Sequence, residues 1–388
     1  MWATVSVAFG LVAACGTGGD SGSAEGLEWP DETAEAVATH ARIVRASYED
    51  TVDRAEALDA ALEALVDDPS GQTLQAAREA WRASREPYLQ TEVFRFSDGP
   101  IDNPDDGPES MLNAWPLDEQ YIDYVEGDPN AGIVNGDDPI DAETLTSLNE
   151  KGGEKNIATG YHAIEFLLWG QDHSDTGPGD RPFTDYVTDG SGTADNQDRR
   201  GEYLLVVGDL LVEHLRQVRD GWADDAEYRQ QFEAEPQAAF EKILTGMIVL
   251  SGFETGGERL QAALDSHDQE DEHSCFSDNT HRDMIQDIQG VKNVWDGRYE
   301  RVDGSKVEGT GVRDVVAEVE PELMDAIDAR IDESLALAEA LQPPFDQEIA
   351  PGSEGNARVQ ALIVSLREQE DLLSEVFEAF ELSVPAPE

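Results

Sequence analysis

"NIATGYHAIEFLLWG", residues 156–170, decides how this chain is read. At roughly 100° per residue, Ile157, Tyr161, Ile164 and Leu168 fall on one helical stripe, and Ala163, Phe166 and Leu167 cover most of the remainder. A helix apolar nearly all round is a buried one. Asn156 is the expected N-cap and Gly170 the expected stop. Yet His162 and Glu165 sit inside the segment one turn apart, with Trp169 on the same stripe. Positions i and i+3 lie about 5–6 Å apart at Cβ, so the pair can serve one metal ion. Imidazole plus carboxylate suits iron, zinc or copper. A carboxylate buried without partners costs several kcal/mol, so something must satisfy Glu165. A metal would do so, and so would His162 itself, a nearby Arg or water; spacing alone leaves these open.

Composition narrows the function classes. The 388 residues carry 84 Asp plus Glu against 26 Lys plus Arg, a formal charge of -58, with only five Lys. Phosphate binding needs a basic face, so nucleic acid is excluded as a partner. Acidic chains poor in apolar residues stay disordered, but here 39% of residues are hydrophobic and run in periodic stretches. The expectation is a folded protein with a carboxylate-coated surface. Acid excess with scarce Lys resembles the composition of proteins from extreme halophiles, where salt near 1 M shortens the Debye length to about 3 Å.

The N-terminal run to Ala14 is too short to span a bilayer and reads as the apolar region of an export signal, although no basic residue precedes it. Val12-Ala13-Ala14-Cys15 resembles a lipoprotein cleavage box, which implies lipidation of Cys15 and a protein exported to the cell envelope on a membrane anchor. Residues 1–15 are then the signal peptide and 16–29 a flexible tether. The other cysteine, Cys275, is left without a disulfide partner.

Long helical patterns dominate the rest. Helices are expected over 31–66, from 71 to about Phe96, at 199–224, 236–250, 252–266 and 279–295, and over 312–341 and 354–382, with polar loops at 97–150 and 171–197. No alternating strand stands out. The fold class is all-α: a first bundle at 30–198 carrying the His162 helix and a second at 199–388, joined by long polar loops. A duplication is raised by two short matches: Thr159-Gly160 with Thr245-Gly246, and Trp81, Arg85 and Tyr88 with Trp295, Arg298 and Tyr299, each trio placed on one helix. Chance likeness between helices competes with it.

Further polar residues gather downstream. Glu254 and Glu258 are i, i+4 neighbours beside Arg259. The stretch "DEHSCFSDNTHRD" (271–283) offers His273, with Asp278 as a cap and His281 and Arg282 in the helix's first turn. No His-Glu-x-x-His motif, nucleophile elbow or phosphate-binding Gly-Lys loop is present.

Gly160-x-His162-x-x-Glu165, followed by Leu-Leu-Trp169-Gly170, resembles the Gly-x-His-x-x-Glu signature of the imelysin family. The likeness extends through "AWRASREPYLQTEVFRF", with Trp81 and Arg85, "NAWPLDEQYIDY", with Trp115, "GFETGGERL" and "DEHSCFSDNTHRD". It implies two helical bundles, an exported protein and a site holding His162 and Glu165, with iron as the favoured metal and zinc the second. A role in iron acquisition beside an uptake permease is implied, and the family's older peptidase label supplies the rival. A metallopeptidase needs three protein ligands, an open coordination position and a base. Only two ligands are assured by the motif, so binding of a metal ion or a metal-bearing ligand is the preferred class. A scaffold lipoprotein with a vestigial site is the third.

Overall fold

The computed structural model describes residues 28–382; the expected export signal, Cys15 and most of the expected tether fall outside the described residues. The first long helix, α1 (Thr33–Asp67), buries Val37, Ala41, Val44, Tyr48, Val52, Ala55, Leu58, Leu62 and Leu65 along a single stripe. Ser70 opens α2 (Gly71–Leu89) with a capping box: its Oγ accepts from the Thr73 N–H, and Thr73 Oγ1 accepts from the Ser70 N–H. The helix then stops at Leu89, short of Phe96, and a 3₁₀ turn covers Glu92–Phe94.

The stretch expected as loop carries short helices at Glu109–Leu112, Glu119–Ile122 and Ala142–Leu148; the longer helices that follow are α3 (Gly160–Trp169), α4 (Gln197–Gly221), α5 (Glu227–Ala234) and α6 (Pro236–Ile248). The last runs straight into a π-helix over Val249–Gln261 and one more α-turn over Ala262–Ser266. What the sequence presents as two helices is therefore one rod with a widened middle. After it follow α7 (Thr280–Asp296), α8 (Val312–Val319), α9 (Pro321–Glu339) and α10 (Glu354–Ala379). Expected as one helix, 312–341 is broken because Pro321 pushes Glu320 out of the helical region, to φ -137° and ψ 75°. The sequence also hides a small antiparallel hairpin, β1 (Arg298–Glu300) with β2 (Lys306–Glu308).

The all-α expectation holds. Helix α1 lies along α2 and α4, and α3 packs on α2 and α4. At the other end α10 lies against the π-helix and α9, and α7 packs on α9 and the π-helix. One large apolar core runs through α1–α6 and on into α7–α10, and a smaller one fills the space among the π-helix, α7, α9 and α10. Internal repetition finds no support in placement. Thr159-Gly160 opens α3, whereas Thr245-Gly246 lies inside α6. Trp295 ends α7 while Arg298 and Tyr299 stand on β1, so they do not share a helix.

Candidate functional site

The start of α3 is fixed by backbone, not by the expected cap. Asn156 folds a surface turn, its Nδ2 donating to the Lys151 carbonyl at 2.7 Å. Thr159 is the N-cap, and its N–H and that of Ala158 donate to Asn149 Oδ1. Gly160 has φ +85°, and a Cβ there would meet the Leu112 carbonyl oxygen at 2.5 Å. Both facts demand glycine, which explains the first letter of the motif. Gly170 terminates the helix at φ +70°, as expected.

Every residue of α3 is buried. His162 Nδ1 and Glu165 Oε2 are 3.0 Å apart. The second oxygen, Oε1, accepts from the Ser277 N–H at 3.0 Å and from its hydroxyl at 2.6 Å. Glu165 is thus a braced carboxylate that orients the imidazole. His162 Nε2 is left buried with no hydrogen-bond partner.

A second carboxylate–imidazole pair stands beside the first. The His162 and His273 rings are 5.0 Å apart, and His273 Nδ1 lies 2.8 Å from Asp283 Oδ2. Asp283 also accepts from Ser274 Oγ and Asn279 Nδ2, and Arg85 Nη2 approaches it at 3.4 Å. Arg85 Nη1 donates to Asn113 Oδ1, while Arg85 Nε and Asn113 Nδ2 have no partner. The half-buried Trp115 closes the other side, its ring 4.8 Å from that of His162. One turn further along α7, Asp287 pairs with Arg259, which also reaches Glu92; Asp287 Oδ1 and Glu92 Oε1 stay unpaired. Buried polar atoms are nearly always satisfied, so this concentration of unsatisfied ones marks the cluster as a candidate site.

Burial sets the protonation states. It pushes His162 well below the ordinary imidazole range, helped by the Arg85 charge, and His273 down to about 4. Both imidazoles are therefore neutral at pH 7. Burial lifts Glu165 to about 8, against the Ser277 hydrogen bonds and the Arg85 charge. For Asp283 burial acts upward too, but Arg85 and His273 prevail and hold it well below the carboxylate range. Neutral imidazoles with Nδ1 anchored on carboxylates are the arrangement that presents Nε2 to a metal.

The family model for Imelysin matches residues 44–373. This chain belongs to the imelysin family. It is 24% identical over 275 residues to an iron-regulated protein A of Synechococcus elongatus, covering 68% of this chain but only 63% of the relative's length. A solved structure titled as an iron-regulated protein A precursor from Parabacteroides distasonis has the same fold, with a TM-score of 0.70 at 18% identity, covering 93% of this chain and 97% of that one.

Within this imelysin the residues expected at the site divide into three groups. His162, Glu165, His273, Arg85 and Trp115 meet, and Arg259 belongs to the adjoining ion network. Trp81 and Trp169 form a wall behind α3: their rings are 5.3 Å apart, and Trp81 Nε1 donates to the Tyr161 carbonyl. The remainder stand off. Glu254 is half-buried, 3.9 Å from Arg259, and Glu258 is exposed, because a π-helix turns more slowly than the i, i+4 spacing assumes. Asp278 does not cap α7; it adopts φ +56°, and the N-cap is Asn279. Arg282 is engaged by Glu86 at 2.8 and 2.6 Å. His281 lines an open groove of about 520 Å³ with Arg82, Ser277 and Asp278.

Asp283, Ser277 and Asn113 were not singled out from sequence. Asp283 had a readable signal, since it and Asp287 stand on the stripe of α7 that buries Met284, Ile288 and Val291. Ser277 and Asn113 lie in loops and had none.

Proposed function

We propose that this protein binds a metal ion, or a ligand carrying one, at His162 and His273, with iron first and zinc second, in the service of iron acquisition. The observation that carries the reading is the unpartnered buried Nε2 of His162, held in place by an anchored Nδ1, with a second anchored imidazole 5.0 Å away ring to ring. These donors fit such a metal: neutral imidazole nitrogens suit iron and zinc, and nearby unpaired oxygens on Glu92 and Asp287 could take part after side-chain movement. The names of the two relatives favour iron. Entry would need Trp115 to move, because His162 is 1% exposed.

A metallopeptidase is the second reading, favoured by one observation. Glu165, raised to about 8, has the proton affinity of a general acid or base near neutrality. Against it stands the complete burial of the pair, which keeps a peptide from the base unless the surroundings rearrange. Hydrolysis of a peptide library that requires metal and disappears in Glu165→Gln would overturn the binding reading. Export, lipidation at Cys15 and a permease partner belong to the same proposal, as does the two-bundle division near residue 198. The acid-rich surface suits a saline medium, where screening relieves carboxylate repulsion. Thermal melts that ignore KCl concentration would sink that last reading.

A further inference from the structure

Behind Ser277, away from the imidazoles, lies a group of carboxylates that the paired-histidine site does not use. Asp172, Asp278 and Asp346 each offer an oxygen, and these oxygens lie within 4.8 Å of one another. All three residues are buried. Asp172 lies in the loop after α3, Asp278 in the loop before α7, and Asp346 opens the short helical turn Asp346–Ile349. Three segments distant in sequence thus converge on one point.

Acidic clusters are common without ions, and proximity alone would carry nothing. What distinguishes this one is unmet demand. Glu272 is wholly buried against Asp346, and neither of its oxygens has a hydrogen-bond partner. Both oxygens of Asp346, Oδ2 of Asp172 and Oδ1 of Asp278 are likewise unpartnered. Among the described residues none of the four carboxylates has an Arg or Lys within ion-pair distance. The charged groups around them include Arg82, which acts on Asp278, His173 and Glu270 beside Asp172, and Asp175, which acts on Asp346. Burial is the largest cause raising all four, with repulsion from Asp346 adding to it for Asp172, Asp278 and Glu272 and from Asp175 for Asp346; Asp172 reaches about 6 and Asp278 about 7.

We propose that Asp172, Asp278, Asp346 and Glu272 form a site for a hard divalent cation of the calcium class, which clamps the loop after α3 to the loops before α7 and α10. The donor chemistry selects the ion. All four donors are carboxylates, with no nitrogen or sulfur, which suits calcium or magnesium rather than iron(II), zinc or copper. They come from loops and can adapt to calcium's six to eight ligands at roughly 2.3–2.6 Å more readily than to magnesium's strict octahedron. The site is independent of the paired-histidine reading, but Ser277 links them: it adjoins Asp278 and donates to Glu165.

The test uses the whole chain, stripped with EDTA and held in excess KCl so that nonspecific screening stays constant. Calcium is titrated by calorimetry and by thermal melting. The expected result is one saturable site, a rise in Tm, and affinity at least about tenfold weaker in Asp346→Asn and Glu272→Gln, because each loses a charged ligand. The surface pair Asp137→Asn/Asp138→Asn should match wild type. Should Asp346→Asn fail to fold, Glu272→Gln and wild-type terbium luminescence, competed by calcium, carry the same comparison. The proposal is overturned if calcium leaves wild-type Tm unchanged at constant ionic strength, as it would if the carboxyls satisfied one another by sharing protons. It is equally overturned if the quartet variants bind as wild type does.

Discussion

Two buried acidic regions flank the C-terminal end of α3, and they handle charge in opposite ways. In the first, Asp123 lies between Arg181 at 2.6 Å and Arg200 at 2.6 and 3.0 Å, with both of its oxygens engaged. Burial would raise its pKa, but the two guanidinium groups hold it below the ordinary value. In the second, Asp172, Asp278, Asp346 and Glu272 crowd together without a cation partner among the described residues, and their pKa values rise. Both groups are buried, so burial alone does not mark function. Charge balance does: in the first region two guanidinium groups neutralise the carboxylate, with Arg181 Nε and Nη2 left unpartnered, whereas in the second the carboxylates themselves have no cation among the described residues. His162 belongs with the second kind, since its Nε2 is the buried atom for which the protein supplies no partner.

Loss of one charge should therefore act with opposite signs in the two regions. Arg200→Ala strips a buried carboxylate of a principal partner and is expected to cost about 3–5 kcal/mol in chemical denaturation. In EDTA, Asp346→Asn removes a like charge from the quartet and is expected to leave stability unchanged or slightly raised. If both variants lose stability alike, the contrast is wrong. The pH response should be intermediate in size. Glu165, Asp287 and Asp278 have folded pKa values of about 8, 7 and 7, above their unfolded values. Their contribution is full below the unfolded pKa and is lost as pH rises through the folded one. Glu92, where burial is outweighed by Arg95 and Arg259, sits at about 2 and contributes in the reverse sense, its share being lost as pH falls toward that value. His162 and His273 are lowered and act the other way, their share growing as pH rises to about 6.5, so the net decline of the metal-free protein should fall between about pH 6.5 and about pH 8, as thermal melts at fixed salt would record. A continuous rise over that interval would contradict these assignments.

Much of this was legible in the sequence because it rests on periodicity. The apolar stripe of α3 and the long stripes of α1 and α10 were readable at 3.6 residues per turn, and so was the all-α class. The breaks were less so: Pro321 was a visible stop inside 312–341, while the π-helix has no simple spacing and misplaced Glu258. His162 and Glu165 could be named because one helical turn joins them. Ser277, Asn113 and Asp283 reach the same place through tertiary packing, across separations of up to 198 residues between hydrogen-bonded partners. Local pattern carries no information at that range. The acidic quartet was hidden for a further reason, since in a chain with 84 acidic residues a carboxylate at any loop position is unremarkable.

The most direct test of the account is metal content and affinity in wild type and His162→Ala, purified without chelator and then titrated with iron(II) and zinc. Glu165 keeps its Ser277 hydrogen bonds, so the variant should lose only about 1–3 kcal/mol of metal-free stability. The account predicts that it remains folded while stoichiometric metal binding disappears. Wild-type protein that binds neither metal, or a folded His162→Ala that binds as tightly as wild type, would contradict it.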